Sequence, residues 1–523
     1  MVSRITSKVV VCKGGLILDQ DVLTQGTVSP GSAKTLQNYE AALEGGYRRI
    51  DGFAKYSDSK VTANADKILG VKVAFDGVFA YAKANTSDYR LYHSTGSTWT
   101  DVSGSVRSTA EPLKARFVSY HIGEERVVMV DGKDEAIRYT AASSGSSTLI
   151  DGSGSGSGTP PADPRFCEFF LGRLCLAGYS SNPSAVTLSA PNDDLKFAAV
   201  DGAVEINVGD EIVQIKSFRD ELYVFCKNSL YKIVEDVSTT FALEDITKTI
   251  GCIASDSVQE IGGDLVFLAP DGIRSIAATE RIGDIELALL SRTIQPVIRP
   301  VIRTVSPDDF SSCVIRGKSQ YRLFKYNASL TNDASRVGII GKLENGQAGI
   351  NFEWSTTAGI PPYSCDSYYE DDNEVVVFGH HSNGYVYNME SGNSFDGENI
   401  TSIYETPDMT LDDASIRKMF RKLIIYTRAE GNIETDIFLV LDQGESGKLQ
   451  PPKVSISGNG GAAVYGLSRY GTDSYGGLVF PTFKKNLHGT GYVGSFKYIA
   501  SVNDAAPHRI DSFQIEYSIK GRK

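Results

Sequence analysis

The sequence predicts an all-β protein: a β-propeller of about six or seven irregular blades, an N-terminal docking segment and a C-terminal β domain of sandwich or jelly-roll type. The first observation behind this prediction is a phrase of strand, tight polar turn and strand that returns along the chain. The second is a composition with 51 Gly, 26 Tyr and 23 Phe and few stretches of helical periodicity. The third is strong alternation of polar and apolar residues towards the C-terminus, which is typical of paired strands.

The repeated phrase is a β-hairpin signal. Its turns fall at Asp76-Gly77, Gly123-Glu124, Gly172-Arg173, Arg219-Asp220, Gly263-Asp264, Gly317-Lys318 and Asp372-Asn373. Their spacing of roughly 43 to 56 residues is within or close to the blade-sized periods of β-propellers. Because a single hairpin cannot bury its apolar face alone, hairpins in series predict blades that pack around an axis.

Residues 1–65 lack the repeated phrase and are predicted to form an N-terminal docking or platform segment. The stretch YRRIDGF alternates like an edge strand and places Arg48 beside Arg49 in a mostly acidic chain. The first residues, MVSRITSKVVVCKGG, have a short apolar patch but neither a full signal-peptide core nor a cleavage site. They are therefore predicted to form a strand.

Residues 66–400 are predicted to form the propeller, with two interruptions. The Gly/Ser tract at 151–161 cannot contribute to a core and is predicted to be a flexible surface loop. The stretch 281–304 has apolar spacing that predicts a short helix before Pro296, with Pro296 and Pro300 ending it. A helix within a propeller is typical of an insertion on one rim, where it could form a contact surface.

Residues 401–523 are predicted to form the C-terminal β domain. The stretches KMFRKLIIYTRAEG and IETDIFLVLDQG alternate strongly and indicate paired strands. In the last strand, the alternation places Phe513, Ile515 and Tyr517 on an inward face. Between these segments lie Tyr465, Tyr470 and Tyr475 with interleaved glycines. This stretch predicts either a recognition surface or a strand pair packed on its own sheet.

The 523-residue chain carries a formal net charge of −12 at pH 7. This charge does not favour nucleic-acid binding through phosphate neutralisation, which needs clustered Lys and Arg. An acidic surface either aids solubility or suits a passage through which DNA moves without sticking. Since the sequence has no apolar run of membrane-spanning length, the protein is predicted to be made and folded in a cytoplasm.

The seven cysteines are scattered, mostly within apolar strand phrases, and are predicted to be buried reduced thiols. Cys167 and Cys175 do not have metal-ligand spacing, and His380-His381 lies in a predicted turn, which indicates a solvated loop. The run EDDN at 370–373 lacks the spaced carboxylates of a calcium loop and is predicted to be a solvated turn. The sequence therefore predicts neither a metal site nor a cofactor.

Enzymatic function is an alternative because propellers also host hydrolases. The segment STGSTWTD at 94–101 partly resembles the Asp-box of sialidase blades, but it lacks the Asp at its proper spacing and occurs once. Glycoside hydrolysis needs two carboxylates across a cleft, and among 64 acidic residues the sequence singles out no such pair. The GxSxG, P-loop and HExxH motifs are also missing from the sequence. The chain is therefore predicted not to be an enzyme.

The segment LQNYEAALEGGYRRIDGFAKY resembles the N-terminal part of the tail nozzle (tail tubular protein B-like) family of short-tailed bacteriophages, or podoviruses. In that family an Asn-bearing strand precedes a Gly, an Arg-rich step and another Gly, which match Asn38, Gly46, Arg48 or Arg49, and Gly52. The phrase IGCIASDSVQEIGGDLVFLAPDGIRSI is similar to propeller blades of the family, at Gly251, Ser255, Gly263 and the Asp271-Gly272 turn. The terminal EYSIKGRK is similar to the closing strand of many phage tail proteins. The resemblance covers most of the chain and rests on diffuse motifs.

This resemblance implies a structural virion protein of the phage tail, a subunit of a nozzle ring of six copies that forms the distal channel for DNA ejection. The implied partners are further copies of the chain, the adaptor or head–tail connector proteins and tail fibres. Genomic DNA would pass through the lumen without sequence-specific binding, and an acidic lumen is predicted to repel its phosphates. Assembly is expected in the cytoplasm of the host bacterium, and the mature protein in the virion.

The candidate contacts with neighbouring subunits or the adaptor lie in the N-terminal segment and the Tyr-rich stretch: Asn38, Arg48, Arg49, Tyr465, Tyr470 and Tyr475. The stretch 281–304 is a further candidate contact surface. Two other functions stay open at this point. One is a receptor-binding tail protein, or adhesin, and the other, with less support, is a propeller glycoside hydrolase.

Overall fold

The computed structural model describes the chain except residues 1–4, 87, 105–111, 142–146, 153–157, 236–240, 277–288, 304–305, 327–336, 347–348, 371, 446, 460–481, 502–505 and 522–523. The described residues form 38 strands and two α-helices of seven and eight residues. This confirms the all-β class. Much of the predicted Gly/Ser loop, at 153–157, lies outside the described residues.

The N-terminal segment supplies five strands that join several different sheets. Its elements are β1 (Ile5–Val11), α1 (Val22–Val28), β2 (Thr35–Gln37), β3 (Tyr39–Ala41), β4 (Tyr47–Arg49) and β5 (Phe53–Lys55). Helix α1 begins after Asp21, whose carboxylate accepts hydrogen bonds from the N–H groups of Leu23 and Thr24. Such a cap satisfies N–H groups that have no partner within the helix.

Five antiparallel sheets then follow in chain order, each made of consecutive strands. The first contains β6 (Ile68–Ala74), β7 (Gly77–Lys83), β8 (Tyr89–Ser94) and β9 (Thr100–Asp101). The second contains β10 (Arg116–Ile122), β11 (Glu124–Val130), β12 (Ile137–Thr140) and β13 (Thr148–Leu149). The third contains β14 (Phe166–Phe170), β15 (Arg173–Tyr179), β16 (Asn182–Leu188) and β17 (Val204–Asn207). The fourth contains β18 (Ile212–Phe218), β19 (Glu221–Cys226), β20 (Leu230–Glu235) and β21 (Phe241–Thr247), and the fifth β22 (Gln259–Ile261), β23 (Asp264–Ala269) and β24 (Gly272–Ser275).

Two further strand groups complete the middle of the chain. Helix α2 (Gln295–Ile302) precedes β25 (Phe310–Ile315), β26 (Gln320–Lys325), β27 (Val337–Gly346) and β28 (Gly349–Ala358). The last group contains β29 (Pro362–Glu370), β30 (Asn373–His380) and β31 (Val386–Met389). Its fourth strand is β5, because Met389 pairs with Phe53 in antiparallel register. The N-terminal segment therefore closes the last sheet.

Each of the seven repeated phrases is a hairpin between the first and second strands of a group. Phe75 and Asp76 have φ angles of 56° and 53°, and Arg219 and Asp220 have 51° and 60°. Positive φ at both central positions is typical of type I′ turns, whose twist matches that of the paired strands. The predicted hairpin positions are confirmed.

The first strands of all seven groups line one axial channel. Neighbouring first strands pack on each other around this channel, and β29 packs on β6 to close the ring. This arrangement confirms the predicted β-propeller. The predicted number of blades stays a prediction, because the group β25–β28 does not form a separate sheet but continues into the C-terminal region.

The C-terminal strands form two sheets together with strands of the N-terminal segment. They are β32 (Ser402–Glu405), β33 (Arg417–Ala429), β34 (Asn432–Leu441), β35 (Val454–Asn459), β36 (Thr482–Gly491), β37 (Gly494–Ala500) and β38 (His508–Gly521). One sheet has the order β3-β4-β38-β33-β36, with β1 also on β38, and the other runs β25-β26-β27-β28-β2-β32-β37-β34-β35. Phe513, Ile515 and Tyr517 are buried between them, as the alternation predicts.

Two local predictions are wrong. Strand β4 is not an edge strand, because it pairs with β3 on one side and with β38 on the other. The helix predicted before Pro296 lies largely outside the described residues, at 281–288. The prediction that Pro296 and Pro300 end a helix is wrong, because α2 contains Pro296 in its first turn and Pro300 in its interior. A proline is tolerated in the first turn because its missing N–H would have no helical partner there.

The domain boundaries at 65/66 and 400/401 stay predictions. The largest apolar core contains residues of the N-terminal segment, of the fifth and sixth strand groups and of the C-terminal sheets. Strand β2 joins β28 and β32, so that a single sheet crosses the second predicted boundary. The N-terminal segment is therefore part of both other regions.

Candidate functional site

A network of buried and half-buried charges joins the N-terminal segment to the propeller. We call it the junction cluster; it consists of three carboxylates and three cations: Glu40, Asp51, Glu390, Arg48, Lys318 and Arg322. Glu40 and Arg48 lie on the paired strands β3 and β4, and Asp51 follows β4. The other three come from the β25–β26 hairpin and the residue after β31.

Lys318 lies among all three carboxylates. Its Nζ is 2.7 Å from Glu40 Oε1 and 2.9 Å from Asp51 Oδ2, and it also contacts Glu390. Arg322 bridges the remaining oxygens, at 2.9 Å from Glu40 Oε2 and 2.6 Å from Glu390 Oε1. Each carboxylate therefore has at least one cationic partner within direct contact.

Arg48 carries the network into the C-terminal region. Its guanidinium donates two hydrogen bonds to Asp51, at 2.8 and 2.9 Å, and two to Glu430, both at 2.7 Å. Fork-shaped pairing of this kind is the strongest and most directional ion pairing available to Arg. One side chain thus connects β4 to the turn that joins β33 to β34.

The surrounding charges decide the protonation of the cluster. Arg322 is 0% exposed and Glu40 2% exposed. Burial alone would raise the pKa of Glu40, but Lys318 and Arg322 outweigh it and lower this pKa. The pKa of Asp51 is likewise lowered, because Arg48 and Lys318 outweigh the effect of burial. Burial lowers the pKa of Lys318, yet the nearby carboxylates raise it further, so that the ammonium stays charged.

The junction cluster also has the geometry of a cation site. One oxygen from each of Glu40, Asp51 and Glu390 lies within 4.8 Å of the others. The Lys318 ammonium lies among these oxygens and supplies the positive charge that a metal ion would otherwise provide. The arrangement is therefore an internal ion-pair network, which stabilises one relative placement of three strand groups.

Asn38 makes a second connection between regions. Its backbone has a φ of 53°, and its side chain is buried. The amide Nδ2 donates to the carbonyl oxygens of Ala358 and Thr401 at 3.0 and 2.9 Å, and Oδ1 accepts from the Thr357 hydroxyl and the Ala358 N–H. These bonds tie the segment after β2 to the end of β28 and to the start of the C-terminal region.

The other predicted contact residues differ in their surroundings. Arg49 is fully buried and donates to the carbonyl oxygen of Ile400 at 3.2 Å, whereas Arg48 belongs to the junction cluster. Asn38, Arg48 and Arg49 therefore contact other parts of the same chain, and their predicted role at a subunit or adaptor interface stays a prediction. Tyr465, Tyr470 and Tyr475 lie outside the described residues.

The axial channel of the propeller is small and crossed by ion pairs. Its volume is about 180 Å³. Arg116 of the second sheet contacts Asp256, which precedes the fifth sheet, at 2.8 Å, and Lys114 lies 3.0 Å from the same carboxylate. Burial would raise the pKa of Asp256, but Arg116 and Lys114 lower it to about 2. Because these ion pairs cross a space of this small volume, the channel does not admit a DNA duplex. The predicted acidic lumen concerns an assembly and stays a prediction.

The cysteines, His380 and the run at 370–373 differ in how far they are buried. Six of the cysteines are buried and Cys365 is half-buried, which confirms the prediction of buried thiols. His380 is not solvated, contrary to the prediction, because its Nδ1 accepts hydrogen bonds from the N–H groups of Ser382 and Asn383 below the surface. The run at 370–373 lies in the β29–β30 hairpin, with residue 371 outside the described part.

Sequence reasoning did not find the junction cluster. Its members come from separate stretches of the chain, and each one is an ordinary charged residue when considered alone. A weak signal exists in the placement of Glu40 and Arg322 within apolar strand phrases, since charges are almost never fully buried without a partner. Such a signal indicates burial but does not identify the partners.

Comparisons with known proteins give no family for this chain. Neither a family model nor a curated protein matches it. Among solved structures, the extracellular domain of a hybrid two-component system from Bacteroides thetaiotaomicron is similar at 10% identity, over 66% of this chain and 40% of the other, with a TM-score of 0.38. A surface component of the type IX secretion system of Porphyromonas gingivalis is similar at 9% identity, over 80% and 59%, with a TM-score of 0.39. A quinonprotein alcohol dehydrogenase-like protein of Bacteroides thetaiotaomicron is similar at 8% identity, over 57% and 67%, with a TM-score of 0.32.

At these scores the comparisons carry no argument about function. The chain spans 40% of the length of the two-component domain. Across the residues that the structure describes, none of the helices has the length and apolarity needed to cross a membrane.

Proposed function

We propose that the chain is a structural virion protein: a subunit of the tail nozzle ring of a short-tailed bacteriophage, which extends the channel for genome ejection. The observation that carries this proposal is the way the N-terminal segment connects the other regions. Strand β5 completes the last propeller sheet, β2 links β28 to β32, and β1, β3 and β4 lie in the same sheet as β38.

A connection of this kind suits a subunit in the wall of a channel, because such a subunit must keep its shape while neighbouring subunits press on it. A continuous core and a buried ion-pair network both oppose relative movement of the regions they join. The same segment, LQNYEAALEGGYRRIDGFAKY, carries the sequence resemblance to the nozzle family. The stretch that resembles the family is thus also the stretch that holds the described structure together.

Native mass spectrometry of the purified full chain tests the proposal. The expected result is a complex of six copies in equilibrium with single chains. A stable trimer that binds glycans would contradict the proposal and favour the adhesin, and a single chain that hydrolyses glycosides would favour the hydrolase. A glycan-binding screen and a glycosidase assay on the same sample separate these outcomes.

A further inference from the structure

Two surface clefts whose lining side chains carry opposite charge lie outside the junction cluster. The first, which we call the arginine cleft, has a volume of about 600 Å³ and lies between helix α2 and the turn that joins β23 to β24. Its charged lining consists of Arg292, Arg299, Arg303 and Asp271. Leu289 and Ile302 supply apolar surface beside these charges.

The arginine cleft is positively charged in a chain of net charge −12. Asp271 already binds Arg274, which donates to both carboxylate oxygens. Arg292 is 72% exposed and has its nearest carboxylate, that of Asp19, at 3.9 Å. Arg299 and Arg303 are exposed, and neither makes an ion pair with any residue that the structure describes. With respect to the described residues, Arg299 and Arg303 are thus available to an anionic partner, and Arg292 has one long ion pair with Asp19.

The second cleft, which we call the tyrosine–acid cleft, has a volume of about 530 Å³. It lies at the hairpin turns of the first, second and last sheets, and its lining includes Asp76, Glu125, Glu370, Tyr368 and Tyr369. The two tyrosines are 48% and 42% exposed, which is unusual for such large side chains. The basic side chains beside it are the imidazole of His121, which pairs in register with Glu125, and Lys72, whose Nζ lies 5.5 Å from the Tyr368 ring centroid.

The two clefts lie at opposite ends of the propeller. The tyrosine–acid cleft is formed at turns between first and second strands, whereas the arginine cleft adjoins a turn between second and third strands. In an antiparallel sheet these two turns are at opposite ends. The first-to-second-strand turns of the first, second and last sheets line one cleft. Those of neighbouring sheets elsewhere also contact each other, since Arg219 donates to the Gly263 carbonyl oxygen and the Gly317 N–H donates to Glu374. Turns between first and second strands therefore lie at the same end of the propeller in different sheets.

The clefts also differ in position around the axis. One belongs to the neighbouring first, second and last sheets, and the other to the fifth sheet, on the far side of the ring. A contact between the two clefts within one chain is therefore impossible, and a contact between two copies brings together different surfaces. Such a heterologous contact generates a closed ring when its rotation closes.

We propose that the arginine cleft of one copy binds the tyrosine–acid cleft of the next copy, and that this contact builds the ring. The inference rests on the proposed function and names its subunit interface. Arg pairs in a bidentate manner with carboxylates and stacks on Tyr rings, and both residue types are enriched at the energetic centres of interfaces. The partner is a second copy because the chain itself offers the complementary acidic and aromatic surface.

A charge-swap experiment tests this contact. The variant Arg299→Glu with Arg303→Glu places like charges opposite the acidic cleft, and Glu125→Arg with Asp76→Asn does so opposite the arginine cleft. Each variant alone is expected to weaken assembly by about 100-fold or more, since like charges across an interface cost several kcal/mol. An equal mixture is expected to restore assembly, because the two variants can alternate around the ring. Mass photometry over a concentration series measures both effects.

Matched controls make the result specific. Lys133→Glu with Lys484→Glu changes the net charge by the same amount as Arg299→Glu with Arg303→Glu, at exposed lysines outside both clefts, and it should assemble like the unaltered chain. Circular dichroism checks that each variant is folded. If the unaltered chain forms rings that survive both reversals, or if the mixture fails to recover, the contact is overturned while the ring proposal stands. If the unaltered chain forms no ring at any concentration, the proposed function itself fails.

Discussion

Glu40 and Glu44 are four residues apart and have opposite surroundings. Glu40 is buried and contacts Arg48, Lys318 and Arg322. Glu44 is exposed and pairs with the partly exposed Arg428 and with Arg509, which is buried but keeps Asp511 as a second partner. Removing one member of a buried ion pair leaves its partners charged and desolvated, while exposed pairs contribute little. The two glutamates therefore form a matched pair for testing the junction cluster.

The variant Glu40→Gln is expected to lower the free energy of unfolding by about 3–5 kcal/mol at pH 7. The reason is that the buried Arg322 and the half-buried Lys318 lose part of their compensating charge while the shape of the side chain is kept. Urea unfolding followed by tryptophan fluorescence measures the loss. Glu44→Gln is the control and should unfold at the same urea concentration as the unaltered chain. Equal midpoints for both variants would show that the junction cluster does not stabilise the fold.

His508 predicts a pH dependence. It is buried, and its Nε2 lies 2.8 Å from the Tyr39 hydroxyl. Burial, and then the charge of Arg49, lower the pKa of His508 to about 3. In the unfolded chain this histidine has the ordinary pKa of about 6.5, so unfolding takes up a proton at pH values between the two pKa values. The contribution of the neutral His508 to the free energy of unfolding is therefore complete above pH 6.5 and is lost as the pH falls below it.

Between pH 7 and pH 5 the unaltered chain is expected to lose about 2 kcal/mol through this residue. The variant His508→Gln should lack that part of the pH dependence, whereas the exposed His488→Gln should keep it. Chemical unfolding at several pH values provides the comparison. Parallel pH profiles for the unaltered chain and His508→Gln would contradict the assignment.

At the scale of elements, the closing strand β5 depends on one aromatic side chain. Phe53 stacks on Phe395 with ring centroids 5.0 Å apart and meets Phe378 and Tyr387 edge-on, each at 5.1 Å. These contacts hold the N-terminal strand against β31. The last sheet therefore loses its fourth strand if this ring is removed.

Phe53→Ala is expected to lower the free energy of unfolding by about 3–5 kcal/mol, because it leaves a cavity in a buried aromatic cluster. Hydrogen exchange should increase most at β5 and β31. Truncation of an exposed side chain in Leu449→Ala provides the control and should leave both quantities unchanged. An increase spread evenly over all sheets would contradict a local closing role.

The hairpins could be predicted from the sequence, and the closing strands could not. A turn such as Asp76-Gly77 joins strands that are neighbours in the chain, so local alternation and turn residues contain the information. The pairing of Phe53 with Met389 and of Gln37 with Thr356 joins distant stretches, and three-residue strands give almost no periodicity to recognise. The same limit applies to β4, for which the sequence predicts an edge position. A short alternating stretch does not show how many other strands pair with it.

Only some residues of the candidate site could likewise be predicted from the sequence. The sequence singles out Asn38, Arg48 and Arg49 as special residues, and all three make connections between regions of the chain. It does not reveal that Asn38 and Arg49 are buried, because polar residues are usually exposed and their burial depends on partners elsewhere in the sequence. Lys318 is predicted only as part of a hairpin turn, and Glu390 is not singled out, since their roles in the ion-pair network exist only in the folded chain.

At the scale of the whole molecule, the structure combines a propeller whose axial channel is crossed by ion pairs with C-terminal sheets that share its core. Such a molecule presents its outer surfaces, rather than its own axis, to partners. The arginine and tyrosine–acid clefts are the surfaces that fit a second copy. The passage for DNA in the proposed assembly would then lie between subunits.

Electron microscopy of the purified chain, negatively stained at high concentration, tests this account most directly. The account predicts class averages of a closed ring with sixfold symmetry and an opening at its centre. Threefold spikes, or isolated particles at every concentration, would contradict it.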